Sequence, residues 1–392
     1  MQQLHLWPEA AIEVDGATTV RVTVEPPNQS RLSLWYRVPS EYSSLIAPNC
    51  DAFVVATQMK AMSQGWDMVI HGEVSPSLLQ NLTEFQAAWS CWRPQRYQSV
   101  QISAEVEQEL SIIHPCDQAI AAFSGGVDSC FTLFRHLTGQ CGRLQRPLKA
   151  GLMVHGFDIP LDQPQVFERA AQRSQKMLAS LGVALIPMAT NFRELKQNWE
   201  DAHGIGLVSC LMLLQGGYGV GLVPSTEPYQ ALIPWGSNPV TDQLLSSRTF
   251  KVVHDGAAFT RIEKVEQLGQ WQEALTGLRV CWQGQEKDRN CGRCEKCIRT
   301  ILNFRVVGLG LPPCFEHDIR DEDILRLQGL NELQISELEQ IYRVALARSI
   351  SGSWVEALHK CIQRNRRQVA FHQFKHWVKA RLPKVVTASL SQ

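Results

Sequence analysis

A chain of 392 residues, 44% of them hydrophobic and with 38 basic against 38 acidic side chains, is long enough for more than one domain, and its formal charge of zero excludes a general electrostatic pull toward nucleic acid. No run of about 18 apolar residues occurs, and Met1-Gln2-Gln3-Leu4-His5 lacks the basic-then-apolar order of a secretory leader, so neither a membrane span nor export is expected. Twelve cysteines in such a chain are expected as reduced thiols or metal ligands in the cytoplasm, not as disulfides.

Residues 1–112 read as an accessory domain, mostly β with helical pieces. Residues 32–38, 68–72 and 98–103 have strand-like composition or alternation. Residues 75–89 begin with Ser75 and Pro76, a cap and a first-turn proline, and continue with helical apolar spacing. Trp35, Trp66, Trp89 and Trp92 read as core or domain-interface aromatics, and no residue in this segment has ligand or catalytic spacing.

From residue 113 the pattern changes to alternating strands (118–123, 149–156, 183–188, 218–223 and 250–253) and helices (166–181, 206–214 and 261–275). This alternation predicts an α/β domain over 113–310, a doubly wound parallel sheet with helices on both faces. Ligands of such sheets bind beyond the carboxyl ends of the strands. The residues there are His155, Gly156 and Asp158; Thr190, Asn191 and Arg193; and Ser225, Thr226 and Glu227. A lone His155 is more often a satisfied structural histidine than a catalyst.

The most informative stretch is Ser124-Gly125-Gly126-Val127-Asp128-Ser129. It follows an apolar run ending at Phe123 and precedes a helical pattern over 130–136. A small-residue loop between a buried strand and a helix gathers backbone N–H groups and a helix dipole at one point, which suits phosphate. Two glycines admit close approach, the two serines add hydroxyls, and Asp128 is placed to hold Mg2+. No lysine of the Walker type follows.

Further along, Gly236, Asn238 and Asp242 form a turn whose polar side chains are expected to face a cleft. Lys264 lies in a helical stretch, where a solvated lysine is one reading. Cys281, Cys291, Cys294 and Cys297 place three closely spaced thiols ten residues after a fourth. Four soft thiolates on a loop over 281–297 predict a tetrahedral zinc site, with an iron–sulfur cluster as the rival. The region 311–392 reads as helical and charge-segregated. Residues 316–339 hold eight acids; residues 360–384 hold eight Lys or Arg, with Phe371, Phe374 and Trp377 among them. Such a basic helix suits RNA or a partner, while internal pairing or a homodimer contact competes with that reading.

The strand, Ser-Gly-Gly-x-Asp-Ser loop and helix resemble the pyrophosphate loop of the PP-loop ATP pyrophosphatases, the adenine nucleotide alpha hydrolase-like (HUP) superfamily. Together with the Cys, spacer, Cys-Gly-x-Cys-x-x-Cys order, residues 115–305 resemble the 7-cyano-7-deazaguanine synthase family. The resemblance implies ATP contacts at Phe123 and Ser124–Ser129, with His155 and Gly156 beside the adenine. Gly236, Asn238 and Asp242 fit a family segment loosely, and Lys264 matches a lysine near the phosphates. Ser124, Asp128, Ser129 and Lys264 are then the catalytic residues, with ATP, Mg2+ and Zn2+ as cofactors. The family's substrate-reading run is replaced here by residues 243–248, Gln-Leu-Leu-Ser-Ser-Arg. The activity implied is adenylation of a carboxylate or amide oxygen on a small-molecule or protein-borne acceptor, with pyrophosphate released, followed by displacement of AMP by an amine or ammonia. Sulfur transfer to a tRNA base and a non-catalytic nucleotide-binding module of a larger complex are the other expectations.

Overall fold

The computed structural model describes residues 2–111 and 117–381, so the expected domain boundary near 112 and Lys384 lie outside the described residues. The side chains of Lys375, Trp377, Lys379 and Arg381 do as well. The chain forms two compact units, Met1–Asn290 and Cys291–Gln392.

The first unit opens with β1 (Gln3–Pro8), β2 (Ile12–Val14), β3 (Ala17–Glu25) and β4 (Leu32–Pro39), followed by α1 (Asp51–Gln64), β5 (Asp67–Val74), α2 (Pro76–Trp92) and β6 (Ile102–Glu107). It continues with β7 (Ala119–Ala122), α3 (Val127–Leu137), β8 (Leu148–His155), α4 (Pro164–Ala179), β9 (Ala184–Thr190) and α5 (Trp199–Leu213). The last pieces are β10 (Val220–Pro224), β11 (Lys251–Asp255), α6 (Arg261–Leu268) and α7 (Gln272–Gly277). All eleven strands of the described residues join one mixed, mostly parallel sheet in the order β11-β10-β7-β8-β9-β4-β3-β1-β5-β6, with β2 on β3.

The five strands β7 to β11 are mutually parallel. The chain steps outward from β7 to β8 and β9, then returns to β10 on the other side of β7. That reversal leaves a crevice at the carboxyl end of β7. β7 itself is Ala-Ile-Ala-Ala, buried at every position, as expected of a strand covered on both faces. Its small side chains let α3 and α5 pack closely on it.

The accessory segment expected over 1–112 shares this sheet. β4 runs antiparallel to β9, pairing Tyr36 with Thr190 and Arg37 with Ala189. Thr190 Oγ1 donates to the Trp35 carbonyl at 2.8 Å, and Asn191 Oδ1 accepts from the Trp35 amide at 2.9 Å. Thr190 and Asn191, nominated from sequence as ligand neighbours, are thus committed to the backbone of β4. One core runs through the whole unit, from Leu4, Leu34 and Phe53 to Ile120, Leu152 and Val252. Each such side chain contributes about 1.5–3 kcal/mol on burial.

Other expectations shift by a few residues. The strand placed at 98–103 lies at 102–107. The helix expected over 261–275 is interrupted between α6 and α7, where Trp271 turns inward, stacks on Phe134 and donates Nε1–H to Ser180 Oγ at 3.0 Å. α1 carries no clear amphipathic period because it is buried nearly all round. Ser75 does precede α2, but its amide and hydroxyl donate to Asp51, at 2.8 and 2.7 Å, instead of capping the helix.

The second unit contains α8 (Glu295–Val306), α9 (Asp321–Leu325), α10 (Glu332–Ala347) and α11 (Ser353–Arg381). Within it Arg366 of α11 grips Glu339 of α10 through two hydrogen bonds of 2.7 and 2.8 Å and also pairs with Glu332. Acidic and basic stretches therefore meet inside the unit at these residues. No described helix is long and apolar enough to cross a membrane.

Candidate functional site

Gly126 caps α3, and the chain passes from β7 through Ser124 and Gly125 into the helix. Gly125 sits at φ +75°, a conformation that a side chain would strain. The Ser124 and Ser129 hydroxyls lie 3.4 Å apart, Ser129 Oγ donates to the Gly126 carbonyl at 3.1 Å, and the Gly126 amide donates to Ser124 Oγ at 3.3 Å. Asp128 and Ser129 thus occupy the first turn of an eleven-residue helix whose dipole favours an anion at this end.

Asp128 is where the loop meets α6. Thr260 and Glu263 form a reciprocal capping box that starts α6 at Arg261. Positions three apart share a helix face, so Arg261 and Lys264 both reach Asp128. Arg261 Nη2 donates to Oδ2 at 3.0 Å, and Lys264 Nζ to Oδ1 at 3.1 Å. Lys264 also donates to the Ser225 carbonyl beyond β10. Burial pushes the Lys264 ammonium below its usual pKa, the nearby Arg261 adds to this, and Asp128 opposes both. The solvated helix lysine allowed by the sequence is therefore a buried, ion-paired one.

Arg279 enters the same region without any sequence signal. Its backbone amide donates to the Gly125 carbonyl at 2.8 Å and its Nη2 to the Ser124 carbonyl at 3.2 Å, while Asp158, after β8, lies 3.7 Å away. Arg261 had a faint signal, one turn from Lys264 on the same face.

The remaining nominees are arranged differently. His155 donates Nε2–H to the Pro160 carbonyl at 2.8 Å and stacks on Phe167, and burial lowers its pKa. Gly156, at φ +105°, leaves no room for a Cβ against the Thr190 carbonyl. Both shape the loop after β8. Asn238 and Asp242 build their own turn: the Asn238 amide donates to Asp242 Oδ1 at 3.0 Å, and Asn238 Nδ2 donates to the Ile233 carbonyl at 2.9 Å. Asp242 Oδ2 also accepts from Ser237 Oγ, and His254 Nδ1 lies 2.7 Å from it. Gly236 packs so tightly on α5 that a Cβ would meet His203 and the Glu200 carbonyl. These three residues stabilise the segment after β10.

The four predicted metal ligands do come together. The sulfurs of Cys281, Cys291, Cys294 and Cys297 all lie within 4.8 Å of one another. A tetrahedral ion with metal–sulfur bonds of about 2.3 Å spaces its sulfurs about 3.8 Å apart, and Cys291 and Cys297 are 3.9 Å apart. Cys291 Sγ accepts from the amides of Arg293 and Cys294, and Cys281 Sγ from that of Gly284. Gly292, at φ +68°, makes the turn between the first two of the closely spaced ligands. Four thiols this close, with N–H donors on the sulfurs of Cys281 and Cys291, fit a single metal ion such as zinc.

Comparison with protein-family models, with curated proteins and with solved structures found no match to this chain.

Proposed function

We propose that this chain is an ATP-dependent enzyme of the PP-loop ATP pyrophosphatase superfamily, of the 7-cyano-7-deazaguanine synthase type, which activates a carboxylate or amide oxygen as an adenylate and transfers the activated carbon to nitrogen. One observation carries this reading. The Ser124–Ser129 loop leaves β7, the middle of the five parallel strands, at the strand-order reversal, and Asp128 in it is gripped by two cations of α6.

In this reading the loop amides and the α3 dipole hold the phosphates. Arg261 and Lys264 offset the charge that builds on pyrophosphate as it leaves. Asp128 and the triphosphate oxygens would hold Mg2+, which supplies further neutralisation. The acceptor oxygen attacks the α-phosphorus, the bond to the bridging oxygen of the β-phosphate breaks, and pyrophosphate departs with the electron pair. An amine then attacks the activated carbon, AMP leaves with the bonding pair, and the amine loses a proton to solvent. Positioning and charge neutralisation supply the acceleration, so no dedicated nucleophile is needed. The four-cysteine loop would hold zinc in a closed, structural site.

The test is pyrophosphate release from labelled ATP across a panel of carboxylic acids, with adenylate and amide products followed by mass spectrometry. Acid-dependent release, lost in Asp128→Asn, is expected. Absence of both ATP binding and release in the wild-type chain overturns the reading.

A further inference from the structure

Arg279 stands out among the buried charges. Its side chain is 9% exposed, and Nε has no hydrogen-bond partner among the described residues. Its other groups join three separate stretches. The backbone amide and Nη2 take the carbonyls of Gly125 and Ser124, Nη1 donates to the Lys287 carbonyl at 3.1 Å, and Asp158 after β8 is its ion-pair partner. The stretch carrying Arg279 is itself pinned: Asn290 Oδ1 accepts from the Val280 amide at 2.9 Å, and Asp288 accepts from Arg169 and Arg173 of α4.

The two loop carbonyls belong to consecutive peptides, and no described peptide bond is cis. In a trans peptide the N–H points opposite to the C=O. Holding the carbonyls of Ser124 and Gly125 toward Arg279 therefore turns the N–H groups of Gly125 and Gly126 away from it. Consecutive N–H groups facing one side make an anion-binding concavity, shared here with the Ser124 hydroxyl, to which the Gly126 N–H donates at 3.3 Å. Gly125 lets the backbone take this form, and a Cβ there would sit 3.7 Å from the Arg279 Cβ.

We infer that Arg279 is the positioning residue of the phosphate loop, a clasp that orients its amides toward the pyrophosphate moiety of a bound nucleotide. This rests on the nucleotide reading above. Arg279 acts from behind the loop and does not touch the ligand. Lysine keeps the charge but lacks the planar fork needed to serve the Ser124 and Lys287 carbonyls together.

The experiment compares pyrophosphate and adenosine binding, by calorimetry and ligand-observed NMR, in wild type and Arg279→Lys. The expected result is a pyrophosphate Kd raised about tenfold, as for loss of one charge-assisted hydrogen bond, with the adenosine Kd changed less than about twofold. General loosening of the fold would weaken both ligands alike and would overturn the assignment, as would wild-type pyrophosphate affinity in a folded Arg279→Lys. Should that variant not fold, Asp158→Asn decides. Asp158 is 47% exposed, so the change is tolerated, and removing its hold on Arg279 is expected to weaken pyrophosphate about threefold. Unchanged affinity there overturns the clasp. A wild-type chain that binds neither ATP nor pyrophosphate overturns the nucleotide reading and the clasp together, whereas wild-type binding with unaffected variants overturns the clasp alone.

Discussion

Lys264 Nζ donates to Asp128 Oδ1 across 3.1 Å, with the lysine side chain only 1% exposed. An ammonium so enclosed is stable only because an anion accompanies it. The pair also joins α6 to the first turn of α3, so the residue proposed to help hold Mg2+ is at the same time a structural counter-ion.

Asp128→Asn is therefore expected to cost stability as well as activity. It leaves Lys264 buried against Arg261 without the carboxylate charge, and a loss of about 2 kcal/mol is expected, reduced from a fully buried pair because Asp128 itself is partly exposed. The double variant Asp128→Asn with Lys264→Met should regain much of that loss. Urea unfolding of the two variants checks the coupling, and purely additive losses would contradict it.

The cysteine centre predicts one zinc per chain by elemental analysis. Cys294→Ser should lower Tm more than Cys210→Ser, because losing one thiolate opens a four-coordinate site, whereas Cys210 is an enclosed core thiol whose pKa burial raises. A chelator should reproduce the effect of Cys294→Ser in the wild type and leave Cys294→Ser itself little changed. Iron with sulfide in an anaerobic preparation would instead favour the cluster.

His136 supplies a pH dependence. Burial and the Arg146 amide, which donates to Nδ1 at 3.2 Å and so favours the neutral ring, oppose protonation, but hydrogen bonds and charge at Asp255 and Cys141 outweigh them and raise the pKa to about 9 from 6.5. The folded state then keeps a proton that the unfolded chain releases near 6.5. The associated stability is fully present below that pH and is lost as pH rises toward 9. The drop across this window is on the order of 3 kcal/mol at most. Denaturant titrations at pH 6, 7.5 and 9 should show the decline, and His136→Gln should flatten it.

The pairing of β4 with β9 predicts that a chain beginning at Val106 loses its fold. Such a chain would expose the β9 edge and the α5 face that α1 covers. Aggregation on refolding is the expected outcome, read by light scattering. A milder probe is Tyr36→Phe, which removes the buried hydrogen bond from Tyr36 to Ser209 Oγ at 2.8 Å and should cost about 1 kcal/mol.

What rests on neighbours along the chain is legible from residue order alone. The apolar run before Ser124, the glycines after it and the periodicity of α3 are local signals, and so is the Cys spacing that brings four sulfurs within 4.8 Å. Alternating strand and helix patterns likewise carried the parallel half of the sheet, β7 to β11. Tertiary structure decided everything that depends on contacts across long sequence separations. That β4 joins β9 follows from which edge was left unpaired, and periodicity contains no record of it. Asp128 meets Lys264 across 136 residues and Ser124 meets Arg279 across 155. A charged residue is legible as such, but whether it is solvated or buried against a distant partner is set by the packing that surrounds it, since the cost of burying a charge is met only where the fold brings an opposite charge or a carbonyl within reach.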